Sequence, residues 1–334
     1  MTRQYDIYAI GNALVDTEIE VSDAFLDRMG IGKGIMSLVD RERQLALIDA
    51  LQGEAEPHHQ TCGGSAANTI IAARYFGSRC FYSCKVADDD TGALFVRELQ
   101  AAGVDTNMAT QRPAGTSGTC LVMVTPDAER TMNTFLGISE SVSEADLDLA
   151  ALRASRYAYI EGYLVTSPSA RAASIRLREL ARENGTQVAL TFSDPSMVRF
   201  FRDGLLEIIG DGIDLLFCNE DEGMEFTGTR TAEAALESLK QYARQVVMTR
   251  GPQGAVAFDG DTSHWIDGVP VKAVDTNGAG DMFAGAFLYG LTQALDFPTA
   301  GRLACAAAAR VVSDFGPRLS AAAHAEVRRQ ILGH

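Results

Sequence analysis

The sequence predicts an α/β fold in which helices cover both faces of a mostly parallel central sheet, with a small β lid beside it. Short apolar segments alternate with helical segments along most of the 334-residue chain, which is the pattern of βαβ units. Two stretches, 12–40 and 114–136, instead show the apolar–polar alternation of strands outside the main sheet. We expect them to form the lid of a single domain that spans 1–334.

The predicted strands are short apolar runs, as expected for strands that are buried on both faces: 5–11, 80–87, 157–164, 186–193, 214–219 and 245–251. The segments between them have helical periodicity: 66–77, 91–103, 169–185 and 232–243. Gly77 and Gly103 close the first two helices, where glycine commonly ends a helix. In such a sheet, ligands bind beyond the carboxyl ends of the strands.

The composition excludes several classes of protein. Hydrophobic residues make up 46% of the chain, which is enough for a sizeable core. The net charge is -15 and no run of Lys or Arg occurs, which argues against a nucleic-acid partner. The six cysteines form no CxxC pair, which is typical of reduced thiols in a cytosolic protein. No signal peptide and no membrane-spanning run occurs, so we expect a cytoplasmic protein without a membrane partner.

The heptapeptide DTNGAGD, Asp275–Asp281, places two glycines directly before an apolar, helix-like segment, Met282–Leu291. A helix N-terminus has N–H groups without intrahelical partners and partial positive charge, and Gly278 and Gly280 would let the backbone approach an anion closely. Asp281 would project into the same cradle. A carboxylate there suits a general base for a hydroxyl that attacks a phosphoryl group. The residues also fit a plain turn capped by Asp.

Four more glycine-rich or polar segments follow predicted strands or open predicted helices: 11–16, 62–68, 219–222 and 249–254. Because the carboxyl ends of parallel strands meet at one edge of a sheet, we expect these segments and DTNGAGD to meet in one ligand site.

Together these motifs resemble those of the ribokinase-like (PfkB) family of carbohydrate and nucleoside kinases. GGSAANT at 63–69 matches one family signature and DTNGAGDMFAGAF at 275–287 matches the other, in the family's order. The resemblance covers essentially the whole chain. It implies a mostly parallel sheet with flanking helices and a β lid, and a transfer of phosphate from ATP to a hydroxyl.

The resemblance implies a role for each matching residue. Asp281 matches the catalytic base, and the anion hole for the transferring phosphate matches Asn277, Gly278, Ala279 and Gly280. The positions that match binders of sugar hydroxyls are Asn12, Asp16, Gly63, Gly64, Ser65 and Asn68.

The resemblance also implies an ATP site. Thr249, Gly251 and Gly254 match the nucleotide-binding turn, and Arg130 matches a lid arginine that approaches the phosphates. Asn219 and Glu222 match the family's NxxE motif, which organises Mg²⁺ and its waters. A candidate K⁺ site lies beside the anion hole, at Asp275 and the carbonyls of 312–316.

Several of these residues also have a purely structural interpretation. Asn12 and Asn68 fit turn or cap positions, and Glu222 fits a helix-surface acid. Ser65 and Gly254 fit simple packing positions.

The acceptor is less well defined by the motifs. GNALVD, the Asn in DTNGAGD, Leu136 and Tyr163 resemble the adenosine-kinase branch, in which an aromatic and an apolar residue sandwich the purine. Tyr163 could equally pack against the sheet. Gly34 stands where that branch can use a glutamine near the base, so a sugar kinase of the same family remains the alternative. A catalytically silent ligand-binding protein is a third possible function. The motifs fit either a monomer or a homodimer.

Overall fold

The computed structural model describes residues 3–52, 59–110, 112–127 and 129–333. The predicted domain, 1–334, and the predicted lid segment, 114–136, therefore include positions that lie outside the described residues. Within the described ranges, fourteen strands form one nine-stranded and one five-stranded sheet.

The strands are numbered in chain order: β1 (Tyr5–Ile10), β2 (Leu14–Glu20), β3 (Met36–Leu38), β4 (His59–Gly63), β5 (Cys80–Ser83), β6 (Asp105–Thr106), β7 (Gly118–Val124), β8 (Arg130–Phe135), β9 (Ser155–Ile160), β10 (Gln187–Thr191), β11 (Ile213–Asn219), β12 (Ala243–Thr249), β13 (Ala255–Phe258) and β14 (Ser263–Ile266).

The α-helices are numbered in the same way: α1 (Asp23–Met29), α2 (Arg41–Leu51), α3 (Ser65–Phe76), α4 (Asp90–Ala101), α5 (Leu149–Arg153), α6 (Pro168–Glu183), α7 (Pro195–Ile209), α8 (Glu220–Thr227), α9 (Ala232–Leu239), α10 (Ala279–Thr292), α11 (Phe297–Val312) and α12 (Ala321–Leu332). No helix in the described ranges is both long and apolar enough to span a bilayer.

The large sheet has the strand order β14-β13-β12-β11-β10-β9-β1-β5-β6. The strands β12, β11, β10, β9, β1, β5 and β6 are parallel to one another. Strands β13 and β14 add an antiparallel edge. The order reverses at β1, whose neighbours are β5 on one side and β9 on the other. Such a switch point opens a crevice at the carboxyl ends of the strands, so this topology determines where a ligand can bind.

Side chains from the two faces of the large sheet form two separate cores. Along β1, Ile7 and Ala9 face one core, whereas Tyr8 and Ile10 face the other. Helices α3, α4, α10, α11 and α12 cover the first face, and α5 to α9 cover the second. The predicted fold class, with helices on both faces of a mostly parallel sheet, is therefore confirmed. The six cysteines are free and buried.

The smaller sheet has the order β3-β8-β7-β2-β4, and we call it the second sheet. One of its faces packs on α1 and α2 through residues such as Ile19, Leu47 and Met123. Its other face, which includes Leu14 and Met132, borders the cavity described below. The second sheet contains the strands of 12–40 and 114–136. That it acts as a lid stays a prediction.

Several predicted boundaries differ from those in the structure. The second sheet also includes β4, whose sequence, HQTCG, has no apolar alternation to reveal it. Within 12–40, Ser22 caps α1 by accepting the N–H of Phe25. The strand predicted over 157–164 ends at Ile160, and Gly162–Thr166 forms a 3₁₀ turn. Gly162 is needed there, because a Cβ would lie 2.4 Å from the carbonyl oxygen of Thr191.

Phe287 in α10 provides a test of the first core. Its fully buried ring packs edge-on against Phe217 and Phe297, with centroids 5.8 and 5.2 Å away. We expect Phe287→Ala to lower the free energy of unfolding by about 3–5 kcal/mol, because it leaves a cavity that the neighbouring rings fill only in part. The matched control is Phe200→Ala, because Phe200 is 72% exposed and its loss should cost less than about 0.5 kcal/mol. Equal losses in urea denaturation would contradict this packing.

Candidate active site

A cavity of about 760 Å³ lies between the carboxyl edge of the large sheet and the second sheet. Residues at the ends of β1, β9, β11 and β12 line it together with the start of α10 and side chains of β2 and β8. Its size is typical of small-molecule sites.

The cavity brings together all of the residues predicted for catalysis, the acceptor, ATP and Mg²⁺ except Gly63 and Gly254. Asp275, predicted for K⁺, lines a second cavity instead. Gly63 lies behind Asp16, and a Cβ there would be 2.1 Å from the Oδ2 atom of Asp16. Gly254 has a φ of +92° in the turn between β12 and β13, and a Cβ would be 2.1 Å from the carbonyl oxygen of Ile266. The close contacts of both glycines fit packing roles, and direct contact with a ligand stays a prediction for them.

The N-terminus of α10 opens directly into the cavity. Gly278 is its N-cap, with a φ of 72° in the left-handed region, and a Cβ would be 2.3 Å from the carbonyl oxygen of Pro317. Gly280 borders open space, with no neighbouring atom within 4 Å of a Cβ position. Asn277 and Ala279 also line this end of the cavity. The first N–H groups of α10 and its dipole make this a favourable place for an anion.

Asp281 lies in the first turn of α10 and is held by two side chains of α3. The hydroxyl of Ser65 donates to its Oδ1 at 2.6 Å, and Nδ2 of Asn68 donates to its Oδ2 at 3.2 Å. Burial raises the pKa of Asp281 to about 6, although both hydrogen bonds act to lower it. The carboxylate is thus oriented and has the pKa of an effective general base near neutral pH.

Asn68 has an unused acceptor. Its side chain is buried, and in the described part of the chain its Oδ1 has no hydrogen-bond partner. Because buried polar atoms are normally paired, an acceptor beside Asp281 on the cavity wall fits a ligand that donates a hydroxyl proton.

Asp16 reaches the cavity from the second sheet. It lies in the middle of β2, between Thr61 of β4 and Cys120 of β7, and not at the end of a strand of the large sheet as the sequence suggested. Burial raises the pKa of Asp16 to about 7, and the positive charge of Arg318 opposes this shift. A buried carboxylate with accessible oxygens can accept hydrogen bonds from ligand hydroxyls.

Asn12 is joined to a residue that the sequence analysis missed, Glu161 at the end of β9. The backbone N and Nδ2 of Asn12 donate to Oε1 of Glu161 at 3.2 and 3.1 Å. Burial raises the pKa of Glu161 to about 7 against these hydrogen bonds. An acid at the end of an apolar strand was the signal that could have found it.

Asn219 and Glu222 form a reciprocal capping box at the start of α8. The side chain of Asn219 accepts the N–H of Glu222 at 2.8 Å, and the carboxylate of Glu222 accepts the N–H of Asn219 at 2.9 Å. Glu222 is buried and lines the cavity, so it is not a helix-surface acid. Burial raises its pKa to about 8. Thr249 is the register partner of Asn219 on β12, and Gly251 follows it on the cavity wall.

Arg130 is buried between carboxylates of different segments. It pairs with Asp275 and, at 3.3 Å, with Glu18 of β2, and its guanidinium lies over the ring of Phe315. Asp275 also accepts the N–H of Gly316 at 2.7 Å. K⁺ at this carboxylate and the carbonyls of 312–316 stays a prediction. Arg130 nevertheless lines the cavity, where it was predicted to approach phosphates.

Tyr163 and Leu136 both border the cavity, Tyr163 from the 3₁₀ turn after β9 and Leu136 from the end of β8. Tyr163 is half-buried and also packs against the core of the second face, so the two interpretations of this residue are compatible. Gly34 lines the same cavity without a side chain that could contact a base.

Comparisons with known proteins agree with this geometry. The chain matches the pfkB family of carbohydrate kinases over residues 30–323. An adenosine kinase from Saccharomyces cerevisiae is 28% identical over 332 residues, which cover 93% of this chain and 96% of that protein.

Two solved structures have the same fold with a TM-score of 0.91 each. One is adenosine kinase from Sinorhizobium meliloti, at 32% identity over 98% of this chain and 99% of that chain. The other is a probable sugar kinase from Rhizobium etli, at 31% identity over 99% of both chains. The chain therefore belongs to the pfkB family of carbohydrate kinases, and it is a kinase that resembles the family's adenosine kinases.

Proposed function

We propose that this kinase transfers the γ-phosphate of ATP to the 5′-hydroxyl of adenosine or a related purine nucleoside. The observation that carries the proposal is the position of Asp281. Its carboxylate is held by Ser65 and Asn68 at the N-terminus of α10, in the same cavity as Tyr163 and Leu136.

In this mechanism Asp281 takes the proton of the attacking hydroxyl, and the N–H groups at the start of α10 stabilise the charge on the transferring phosphate. Phosphoryl transfer needs in-line positioning and charge neutralisation more than covalent chemistry from the protein. The unpaired Oδ1 of Asn68 and the carboxylate of Asp16 would bind the ribose hydroxyls and hold the acceptor in line. The second sheet would exclude water.

The end of the cavity near β11 and β12 fits ATP and Mg²⁺. Asn219, Thr249, Gly251 and Arg130 would bind the nucleotide, and Glu222 would hold Mg²⁺ through water. No cluster of three or more His, Cys, Asp or Glu side chains in the described ranges could hold a metal alone. Mg²⁺ keeps several waters and takes phosphate oxygens as ligands, and when bound it would neutralise triphosphate charge.

The ring of Tyr163 and the side chain of Leu136 support a purine as the acceptor base, because stacking needs a flat π face. The adenosine kinases among its relatives support the same choice. A free sugar is the second candidate. It is favoured by the equally high similarity to a probable sugar kinase and by Gly34, which offers a base no side-chain contact.

Asp281→Asn tests the general base. We expect kcat to fall by roughly 10²–10⁴-fold, because the amide cannot take the proton, whereas calorimetry should show nearly unchanged binding of ATP and acceptor. Asp203→Asn on the surface of α7 is the control and should be fully active. Near wild-type turnover in Asp281→Asn would rule out this residue as the base.

The pH dependence of kcat/KM for the acceptor follows from the same carboxylate. Because burial raises the pKa of Asp281 to about 6, its protonated, inactive form persists to higher pH than for an exposed Asp, whose pKa is about 3.9. We expect kcat/KM, which reports ionisations of the free enzyme, to fall as the pH drops through about 6. Steady-state kinetics in buffers of constant ionic strength would measure this, and a flat profile through this range would contradict the assignment.

The identity of the acceptor is tested by measuring phosphorylation with ATP and Mg²⁺ over a panel of adenosine, other nucleosides, ribose and fructose. Adenosine should be the best substrate of the wild-type protein. Tyr163→Ala should weaken the binding of adenosine by roughly tenfold to a hundredfold, by analogy with base–aromatic stacking. It should change the activity with ribose or fructose little.

Tyr163→Phe is the matched control for the panel and should be nearly neutral, since the ring and not the hydroxyl is involved. Efficient phosphorylation of ribose or fructose, with no activity on adenosine, would replace the nucleoside assignment with the sugar alternative.

A further inference from the structure

Glu161 lies at the centre of the site, and the mechanism above leaves it without a role. It follows β9 at the topological switch point, where its N–H donates to the carbonyl of Ile10 at 3.2 Å. Its side chain is only 1% exposed, although it lines the cavity. A carboxylate buried so deeply requires hydrogen-bond donors, and these come from two different segments.

The first segment is the loop after β1. Oε1 of Glu161 accepts both the backbone N–H and the Nδ2 of Asn12, at 3.2 and 3.1 Å. The hydroxyl of Ser139 donates to the Oδ1 of Asn12 at 3.3 Å. These contacts assign the two ends of the Asn12 amide, so its orientation on the cavity wall depends on Glu161.

The second segment is the first turn of α3. Its N-cap is Gly64, which has no side chain to cap the helix, and a Cβ there would lie 2.4 Å from the carbonyl oxygen of Asn12. The usual Ser, Thr, Asp or Asn cap is therefore excluded by close contact. Glu161 provides the missing acceptor, because its Oε2 accepts the N–H of Ala66 at 2.7 Å. Its negative charge also suits the positive end of the helix dipole.

The same helix turn holds the catalytic carboxylate, since Ser65 and Asn68 donate to Asp281. Building on the function proposed for Asp281, and on the binding of sugar hydroxyls that the family resemblance implies for Asn12, we infer that Glu161 is a positioning residue. One carboxylate clamps Asn12 and the start of α3 together and thereby sets the acceptor-binding amide relative to Asp281. The ATP end of the cavity, at Asn219, is held separately by its own capping box.

Glu161→Gln is the informative substitution, because it keeps the shape of the side chain but replaces one acceptor oxygen with an NH₂ group. The three N–H donors must then share one oxygen. We expect the acceptor KM to rise and kcat to fall, each by roughly tenfold, because small misplacements of reacting groups are costly, while the KM for ATP stays within about twofold. The acceptor is whichever panel compound the wild-type protein phosphorylates fastest, so the test does not depend on adenosine.

Asp6→Asn is the matched control. Asp6, like Glu161, has a buried carboxylate. It lies near the start of β1, at the end of the strand away from Asn12, and it accepts the N–H of Arg79 at 2.9 Å. It should lower the melting temperature and leave kcat and both KM values unchanged. Wild-type kinetics in folded Glu161→Gln would overturn the proposal.

Hydrogen exchange measured by mass spectrometry gives a readout without turnover. In Glu161→Gln, peptides covering 11–14 and 64–68 should exchange faster, and those covering 219–222 should not change. If the wild-type protein phosphorylates nothing in the panel, the proposed function fails, yet this experiment still tests the clamp. Unchanged exchange in both segments would overturn it.

If Glu161→Gln does not fold, Glu161→Asp and Glu161→Ala are compared instead. Asp keeps two acceptor oxygens, so it should recover part of the protection at 64–68 that Ala loses. Equal exchange and equal kinetics in the two variants would contradict a role for the carboxylate.

Discussion

A carboxylate that must stay both ionisable and desolvated is the constraint on which the rest of this site depends. Asp281 is buried enough for its pKa to rise to about 6, yet Ser65 and Asn68 satisfy its oxygens. Without those two donors, burial would raise the pKa of Asp281 further, which would disfavour its proposed role as a base at neutral pH. The start of α3 and the start of α10 must therefore meet, and the packing of these helices on one face of the large sheet brings them together.

The topology of the two sheets determines which strands place the other site residues. The switch point at β1 and β9 places Asn12 and Glu161 beside each other, and the ends of β11 and β12 place Asn219 beside Thr249. The second sheet contributes Asp16 from the opposite wall of the cavity. Groups assigned to the acceptor and to the nucleotide thus come from different strands.

The large sheet and most of the site could be predicted from the sequence, because both depend on local patterns. Buried parallel strands read as apolar runs, and glycine turns before helices mark anion cradles. The missed features depend on contacts between distant segments. Strand β4 is set by its pairing with β2, and the ion pair of Arg130 with Asp275 joins positions far apart in the chain. The position of Glu161 at the end of an apolar strand was a sequence signal, but its contacts with Asn12 and Ala66 depend on the fold.

In the proposed mechanism Asp281 acts as a base in a single in-line transfer and not as a nucleophile that first takes the phosphate. The stereochemistry at the transferred phosphorus tests this most directly, with ATP made chiral at the γ-phosphate by oxygen isotopes. One in-line displacement should invert the configuration in the phosphorylated product. Retention of configuration would indicate two displacements through a phosphorylated enzyme, and it would contradict the role assigned to Asp281.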